Sequence, residues 1–88
     1  MSPVGISAQI SIYPLRQEHL TATIETVTET LKEHGLRVEV GAMSTQVTGD
    51  QRSLFTGLAE AFERAAASGH VVMTITVSNA CPVPEARP

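Results

Sequence analysis

The sequence predicts an α+β fold in which two helices cover one face of a four-stranded antiparallel sheet. Apolar residues alternate near both ends of the chain, which is typical of strands, and two internal stretches repeat apolar residues every three or four positions, as helices do. A pair of short strands lies between the two helical stretches. The order strand, helix, strand, strand, helix, strand is that of the ferredoxin-like βαββαβ sandwich.

The first strand and helix occupy the N-terminal third of the chain. From Ile6 to Ile12 every second residue is apolar, the period of a half-buried strand, and we expect Pro14 to end it. The first helix should run from about residue 17 to 34, with Gly35 at its left-handed cap. Its buried stripe is predicted to consist of Leu20, Ile24, Val27 and Leu31.

Two short strands, roughly 36 to 41 and 43 to 49, should follow and supply Val38, Val40 and Val47 to the core. Asp50 is the expected N-cap of the second helix, which should stop at Gly69. One face of that helix should carry Leu54 or Phe55, then Leu58, Phe62 and Ala65.

The last strand is predicted from His70 to Asn79. Its apolar side should carry Val71, Met73, Ile75 and Val77.

Right-handed crossovers place the first and third strands at the centre of the sheet and leave one sheet face uncovered. That face is rich in hydroxyls and amides and poor in charge. Water can cover such a face, but the shortage of charge favours contact with another subunit or a polar small molecule. The expected residues are Ser7, Gln9, Ser11, Tyr13, Arg37, Glu39, Ser44, Gln46, Thr48, Thr74, Thr76 and Ser78.

The 88-residue chain predicts one domain over residues 1–82, followed by a flexible tail over 83–88. The net charge of -3 and the scattered Lys and Arg residues disfavour nucleic acid as a partner. The apolar runs are too short to span a bilayer and no signal segment is evident, so we expect a cytoplasmic protein. So small a core also favours a homo-oligomer.

The candidate chemical groups do not form a catalytic or metal-binding pattern. Cys81 has no histidine at a spacing that would activate it, and we expect a packed thiol. His19, His34 and His70 show no metal-ligand spacing, and there is no phosphate-binding glycine loop. The sequence therefore predicts neither an enzyme nor a bound cofactor. An RNA-recognition sheet would need stacking aromatic rings, and Tyr13 alone qualifies.

Three motifs resemble the YkoF-type domain, which binds thiamine and its hydroxymethylpyrimidine moiety. They are "AQISIYPL" in the first strand, Ser44-Thr45 followed by Gly49 in the middle hairpin, and "GHVVMTITVSNACP" at the end. The resemblance extends from about residue 6 to 82 and implies a non-enzymatic role in salvage, transport or sensing. Tandem members carry two such domains, so a single domain implies a homodimer or homotetramer.

A site for an aminopyrimidine needs an apolar wall and a few placed hydrogen-bonding groups. Strand alternation predicts that Thr45 and Asn79 face the helices whereas most of the other candidates face the open side, a conflict that a strand end or a bulge would resolve. The resemblance and this chemistry together nominate Gln9, Ser11, Tyr13, Ser44, Thr45, Met73, Ser78 and Asn79.

Two other functions fit the same topology. An oligomeric regulatory module of the ACT type would use the open sheet face for association. An acylphosphatase-like hydrolase would need an anion-binding loop with a nearby arginine, and Arg16 is the loosely suitable residue.

Overall fold

The computed structural model describes residues 5–15, 20–42, 44–67 and 69–80. It confirms the predicted ferredoxin-like βαββαβ order. The elements are β1 (Ile6–Leu15), α1 (Leu20–Glu33), β2 (Arg37–Val40), β3 (Thr45–Gly49), α2 (Gln51–Ala66) and β4 (His70–Ser78).

The four strands form one antiparallel sheet in the order β2-β3-β1-β4, as right-handed crossovers predict. The two strands that pair with β1 extend along it for different lengths. Strand β4 follows β1 from Ser7↔Ser78 to Leu15↔His70, whereas β3 stops at the pair Ile10↔Thr45. Beyond Ile10, β1 is therefore paired on one side by β4, and no strand of the described chain occupies its other side.

The prediction that Pro14 ends the first strand is wrong, because Pro14 pairs with Val71 inside β1. Proline cannot donate a backbone hydrogen bond, so within sheets it is found where one side of a strand is unpaired. The second half of β1 is such a place, since β3 has already ended there. The strand continues to Leu15 for this reason.

The core lies between the helices and the two central strands. Its residues pack with at most 6 % of their surface exposed, and they are Ile6, Ala8, Ile10, Val27, Leu31, Leu36, Val47, Leu54, Leu58, Ala61 and Ala65. Val38, Val71 and Met73 pack against its margin.

Some residues expected in the core lie outside it. Phe62 is exposed, because the buried stripe of α2 is completed by Ala61. Leu20 and Val40 are exposed at one end of the sandwich, whereas Ile75 and Val77 are exposed along the outer strand β4. Alternation therefore fixes the face on which a residue lies but not whether other elements bury it.

Both predicted helix boundaries have their expected caps. At the end of α1, Gly35 adopts a φ of 78°, and the Leu36 N–H donates to the Leu31 carbonyl at 3.3 Å, a Schellman-type ending. At the start of α2, the Asp50 carboxylate accepts a hydrogen bond from the Ser53 N–H at 3.1 Å. These caps fix where each helix meets the sheet.

Arg64 joins the two helices through polar contacts. Its guanidinium donates to the Thr30 hydroxyl at 3.1 Å and to the Glu33 carboxylate at 3.2 Å, and it also pairs with Glu60. The His34 imidazole contacts the other Glu60 oxygen at 2.8 Å. The His34 hydrogen bond is the main cause that lowers the pKa of Glu60, and the nearby Arg64 charge adds to it.

No helix in the described part of the chain is long and apolar enough to cross a membrane.

Candidate functional site

A cavity of about 440 Å³ opens beside the second half of β1, where the sheet lacks the continuation of β3. Its walls come from β1, the start of α1 and the β2–β3 turn. The lining residues are Ile10, Ser11, Ile12, Tyr13, Pro14, Leu20, Ile24, Val40, Gly41, Ala42, Ser44 and Thr45.

The β2–β3 turn shapes one wall of this cavity. The Gly41 N–H donates to the Ser44 carbonyl at 2.8 Å, which closes the turn just before β3 begins at Thr45. A Cβ atom on residue 41 would lie 2.9 Å from that carbonyl oxygen, so a larger residue would force the turn to shift. The turn therefore ends the pairing of β3 with β1 at Ile10 and leaves space for the cavity beside the rest of β1.

The cavity combines an apolar wall with a polar rim. Leu20, Ile24 and Val40 supply aliphatic side chains, and the exposed fractions of Leu20 and Val40 are 49 % and 57 %. Such exposure is costly for aliphatic side chains in a small domain and suits the wall of a ligand site. Leu20 and Val40, which were expected in the core, therefore both line this cavity.

None of the described lining residues carries a carboxylate, an ammonium or a guanidinium group. The polar groups are the hydroxyls of Ser11, Tyr13, Ser44 and Thr45, together with backbone groups along the side of β1 that β3 leaves open. Unpaired strand backbone offers donors and acceptors in a fixed line, as in strand-addition sites. The cavity is chemically suited to a neutral, flat, hydrogen-bonding ligand.

Four of the eight sequence-predicted site residues, Ser11, Tyr13, Ser44 and Thr45, line this cavity together. A fifth, Gln9, lies next to it and donates from its side-chain amide to the Ser44 hydroxyl at 3.0 Å. Ser44 and Thr45 were expected on opposite sides of the sheet. Both line the cavity because it lies at a strand end, where the open and the helix-covered sides meet. Ser44 precedes β3 and Thr45 begins it.

The other three predicted residues lie elsewhere. Met73 pairs with Ile12 on β4 and packs against the core. Ser78 pairs with Ser7 at the opposite end of β1, and its hydroxyl accepts a hydrogen bond from the Ala80 N–H at 3.0 Å. Asn79 follows Ser78 there. Cys81, Pro82 and the predicted tail fall outside the described residues, as does Arg16.

Sequence reasoning did not nominate Leu20, Ile24, Val40, Gly41 or Ala42 as site residues, although all five line the cavity. The aliphatic members have the spacing of core positions, which hides their role. The predicted strand lengths gave no signal, because the strand expected over 43–49 was nearly as long as a first strand that ends at Pro14, whereas the observed β3 has five residues and β1 has ten.

A second groove of about 530 Å³ shares Ile24 and Val40 with the cavity. Unlike the cavity, it carries charged side chains: Glu25, Glu29 and Lys32 of α1 lie along it. Two carboxylates and one ammonium give this groove a negative balance beside the neutral cavity. Among the described residues, a cavity lining without charged side chains therefore lies next to a weakly acidic surface.

Solved structures similar to this chain share its fold. A hypothetical protein of Methanocaldococcus jannascii is 25 % identical with a TM-score of 0.78, covering 85 % of this chain and 79 % of that one. A Thermotoga maritima protein provisionally assigned to thiamine biosynthesis or salvage is 19 % identical with a TM-score of 0.73, covering 83 % and 81 %.

A Bacillus cereus domain of unknown function, DUF77, is 22 % identical with a TM-score of 0.71 and covers 84 % of this chain and 74 % of that one. None of these three proteins is described as an enzyme. No protein of curated function matches the chain. The sequence model of the YkoF-related family matches residues 5–84, nearly the whole chain, and the chain therefore belongs to that family.

Proposed function

We propose that this protein binds thiamine or its hydroxymethylpyrimidine moiety without catalysing a reaction, and serves salvage, transport or sensing of that compound. We place it in the cytoplasm, as a homodimer or homotetramer. The observation that carries the proposal is the cavity beside the open side of β1, whose described lining carries no charged side chain, in a chain of the YkoF-related family.

The polar groups of the cavity suit the edge of an aminopyrimidine. Such a ring offers an exocyclic amine and ring nitrogens, which need acceptors and donors in one plane. The Ser11 and Thr45 hydroxyls and the open backbone of β1 supply both kinds of group. The aliphatic side chains of Leu20, Ile24 and Val40 supply a wall for the ring.

The charge distribution favours an unphosphorylated ligand. Tight phosphate recognition combines backbone N–H groups with Arg or Lys side chains. The start of α1 lies at the cavity, but the described lining contains no basic side chain. The neighbouring groove, with Glu25 and Glu29, favours a cationic substituent instead. Thiamine carries a positively charged thiazolium ring beside its pyrimidine and meets both conditions, whereas its diphosphate ester does not.

Isothermal titration with hydroxymethylpyrimidine, thiamine and thiamine diphosphate tests the proposal. We expect binding of the first two and at least about 10-fold weaker binding of the diphosphate. Ser11→Ala should weaken binding about 5- to 10-fold, the effect of one lost hydrogen bond.

Ser78→Ala is the matched control, because Ser78 lies at the opposite end of β1 from the cavity. We expect its affinity to stay within about 2-fold of the wild type. No binding of either unphosphorylated compound at millimolar concentration would contradict the proposed function. Binding that Ser78→Ala abolishes and Ser11→Ala leaves intact would move the site to the other end of the sheet.

A further inference from the structure

The contact between Gln9 and Ser44 at the rim of the cavity gives one polar group of the site a defined direction. We propose that Gln9 is a positioning residue whose side-chain amide holds the Ser44 hydroxyl as a hydrogen-bond donor toward the cavity. The site would then select a ligand whose ring nitrogen accepts a hydrogen bond over one whose ring nitrogen carries a hydrogen. This inference rests on the proposed function, because it takes the ligand to be a pyrimidine.

The fold places the two side chains together at the point where β3 ends. Gln9 lies on the open face of β1, one residue before the last pair with β3, Ile10↔Thr45. Ser44 directly precedes β3 and is half-buried. The Gln9 Nε2 atom donates to the Ser44 Oγ atom at 3.0 Å. Gln9 is not among the described lining residues, so its route to the cavity is through Ser44.

The direction of this hydrogen bond decides what the Ser44 hydroxyl can offer a ligand. A serine hydroxyl has one hydrogen and two acceptor lone pairs. The Gln9 N–H occupies one lone pair, and the hydroxyl cannot point its own hydrogen at a group that is itself donating. The Ser44 hydrogen therefore points away from Gln9 and is available to an acceptor in the cavity.

Two pyrimidines of nearly the same shape differ at the ring atom that such a donor would meet. In an aminopyrimidine, the ring nitrogen beside the amino group is an acceptor. In the oxo analogue, where a carbonyl replaces the amino group, that nitrogen carries a hydrogen. The oxo analogue would place its N–H against the hydroxyl hydrogen and leave two donors without an acceptor, a mismatch that sites use to reject close analogues.

Isothermal titration of wild type and Gln9→Glu with hydroxymethylpyrimidine and its oxo analogue tests the proposal. A carboxylate only accepts hydrogen bonds, so the new side chain would turn the Ser44 hydrogen toward itself and present a lone pair to the cavity. The wild type should favour the amino compound at least about 10-fold, and this ratio of affinities should fall at least about 10-fold in Gln9→Glu. Gln9 is exposed, so the substitution leaves the core intact, and circular dichroism verifies folding.

Gln46→Glu is the matched control for the added charge. Gln46 pairs with Gln9 across the sheet, is exposed on the same open face and is not among the described lining residues. Its ratio of affinities should stay within about 2-fold of the wild type. An equal fall of the ratio in both variants would assign the effect to charge alone and overturn the proposal.

The Ser44→Ala background separates positioning from direct contact with the ligand. Residues that act through one hydrogen bond are strongly non-additive. Ser44→Ala should lower the ratio of affinities, and adding Gln9→Glu should change it by less than about 2-fold further. An effect of Gln9→Glu that is as large without the Ser44 hydroxyl as with it would overturn the positioning role and assign Gln9 to the ligand itself.

The outcomes also separate this inference from the proposed function. A wild type that binds both compounds equally, or a Gln9→Glu variant that keeps the wild-type ratio, would overturn the role of Gln9 while leaving a pyrimidine-binding protein. A wild type that binds neither compound would overturn both. A ratio that falls in Gln9→Glu and not in Gln46→Glu supports the inference.

Discussion

Two buried threonines of similar exposure differ in how their hydroxyls are satisfied. Thr30 donates to the Thr26 carbonyl at 2.7 Å and accepts from Arg64. Thr48, on the open face between Ser7 and Arg37, is 7 % exposed, and its hydroxyl has no hydrogen-bond partner among the residues that the structure describes. A buried hydroxyl without a partner costs free energy, whereas a satisfied one contributes to stability.

Replacement of these residues by the nearly isosteric valine should therefore have opposite effects. Thr48→Val should leave the free energy of unfolding unchanged or raise it by about 1 kcal/mol, because it removes the unsatisfied hydroxyl. Thr30→Val should lower it by about 1 kcal/mol. Urea denaturation of both variants at one protein concentration measures the difference. A loss of stability in Thr48→Val equal to that in Thr30→Val would contradict this interpretation.

Alternation and spacing predict the face on which a residue lies better than they predict whether that residue is buried. Val47 and Leu31 occupy the core as their spacing predicts, whereas Val40 and Leu20 have the same kind of spacing and line the cavity. The difference arises from where the helices and β3 end, which is set by packing between elements distant in sequence. A local pattern carries no information about that packing.

At the level of elements, the unequal lengths of β1 and β3 create the candidate site. Strand β1 has ten residues and β3 has five, so no strand of the described residues pairs with the second half of β1 on the β3 side. Pro14, which was expected to end the strand, is compatible with a longer strand for the same reason. The point at which β1 ends was therefore harder to predict than which of its residues lie on each face of the sheet.

The start of helix α2 should make stability depend on pH. Hydrogen bonds from the Ser53 hydroxyl and backbone N–H hold the pKa of the Asp50 carboxyl below its ordinary value of 3.8. A carboxyl with a lowered folded-state pKa contributes stability that is present above 3.8 and is lost as the pH falls through the lowered value. Acid should therefore weaken this cap.

Asp50→Asn tests the cap, because asparagine keeps a capping oxygen without the titrating charge. Between pH 5 and about pH 2, the melting temperature of Asp50→Asn should fall less steeply than that of the wild type. Asp50→Ala should melt a few degrees lower even at pH 7, since it removes the cap. Identical pH profiles for wild type and Asp50→Asn would show that another group controls the acid transition.

At the scale of the whole molecule, ligand binding should couple stability to ligand concentration. A ligand that binds only the folded chain raises its melting temperature by mass action. At one thiamine concentration well above the wild-type dissociation constant, the wild type should gain a few degrees and Ser11→Ala should gain less. Differential scanning fluorimetry measures both shifts. Equal shifts would indicate that the cavity has no part in binding.

The element order and sheet topology could be predicted from sequence because each rests on local periodicity and on the handedness of crossovers. The cavity could be predicted only in part. A resemblance to known motifs nominated four of its residues, Ser11, Tyr13, Ser44 and Thr45. The cavity that brings them together depends on the register of β3 against β1. Register is decided by pairing across the sheet.

The position of the β2–β3 turn also relates the extent of the sheet to the volume of the cavity. The turn ends β3 at Thr45, beside Ile10 of β1. Each residue added to β3 before Thr45 would pair with the second half of β1 and occupy part of the space that the cavity now has. The length of this hairpin therefore sets the size of the ligand that the cavity accepts.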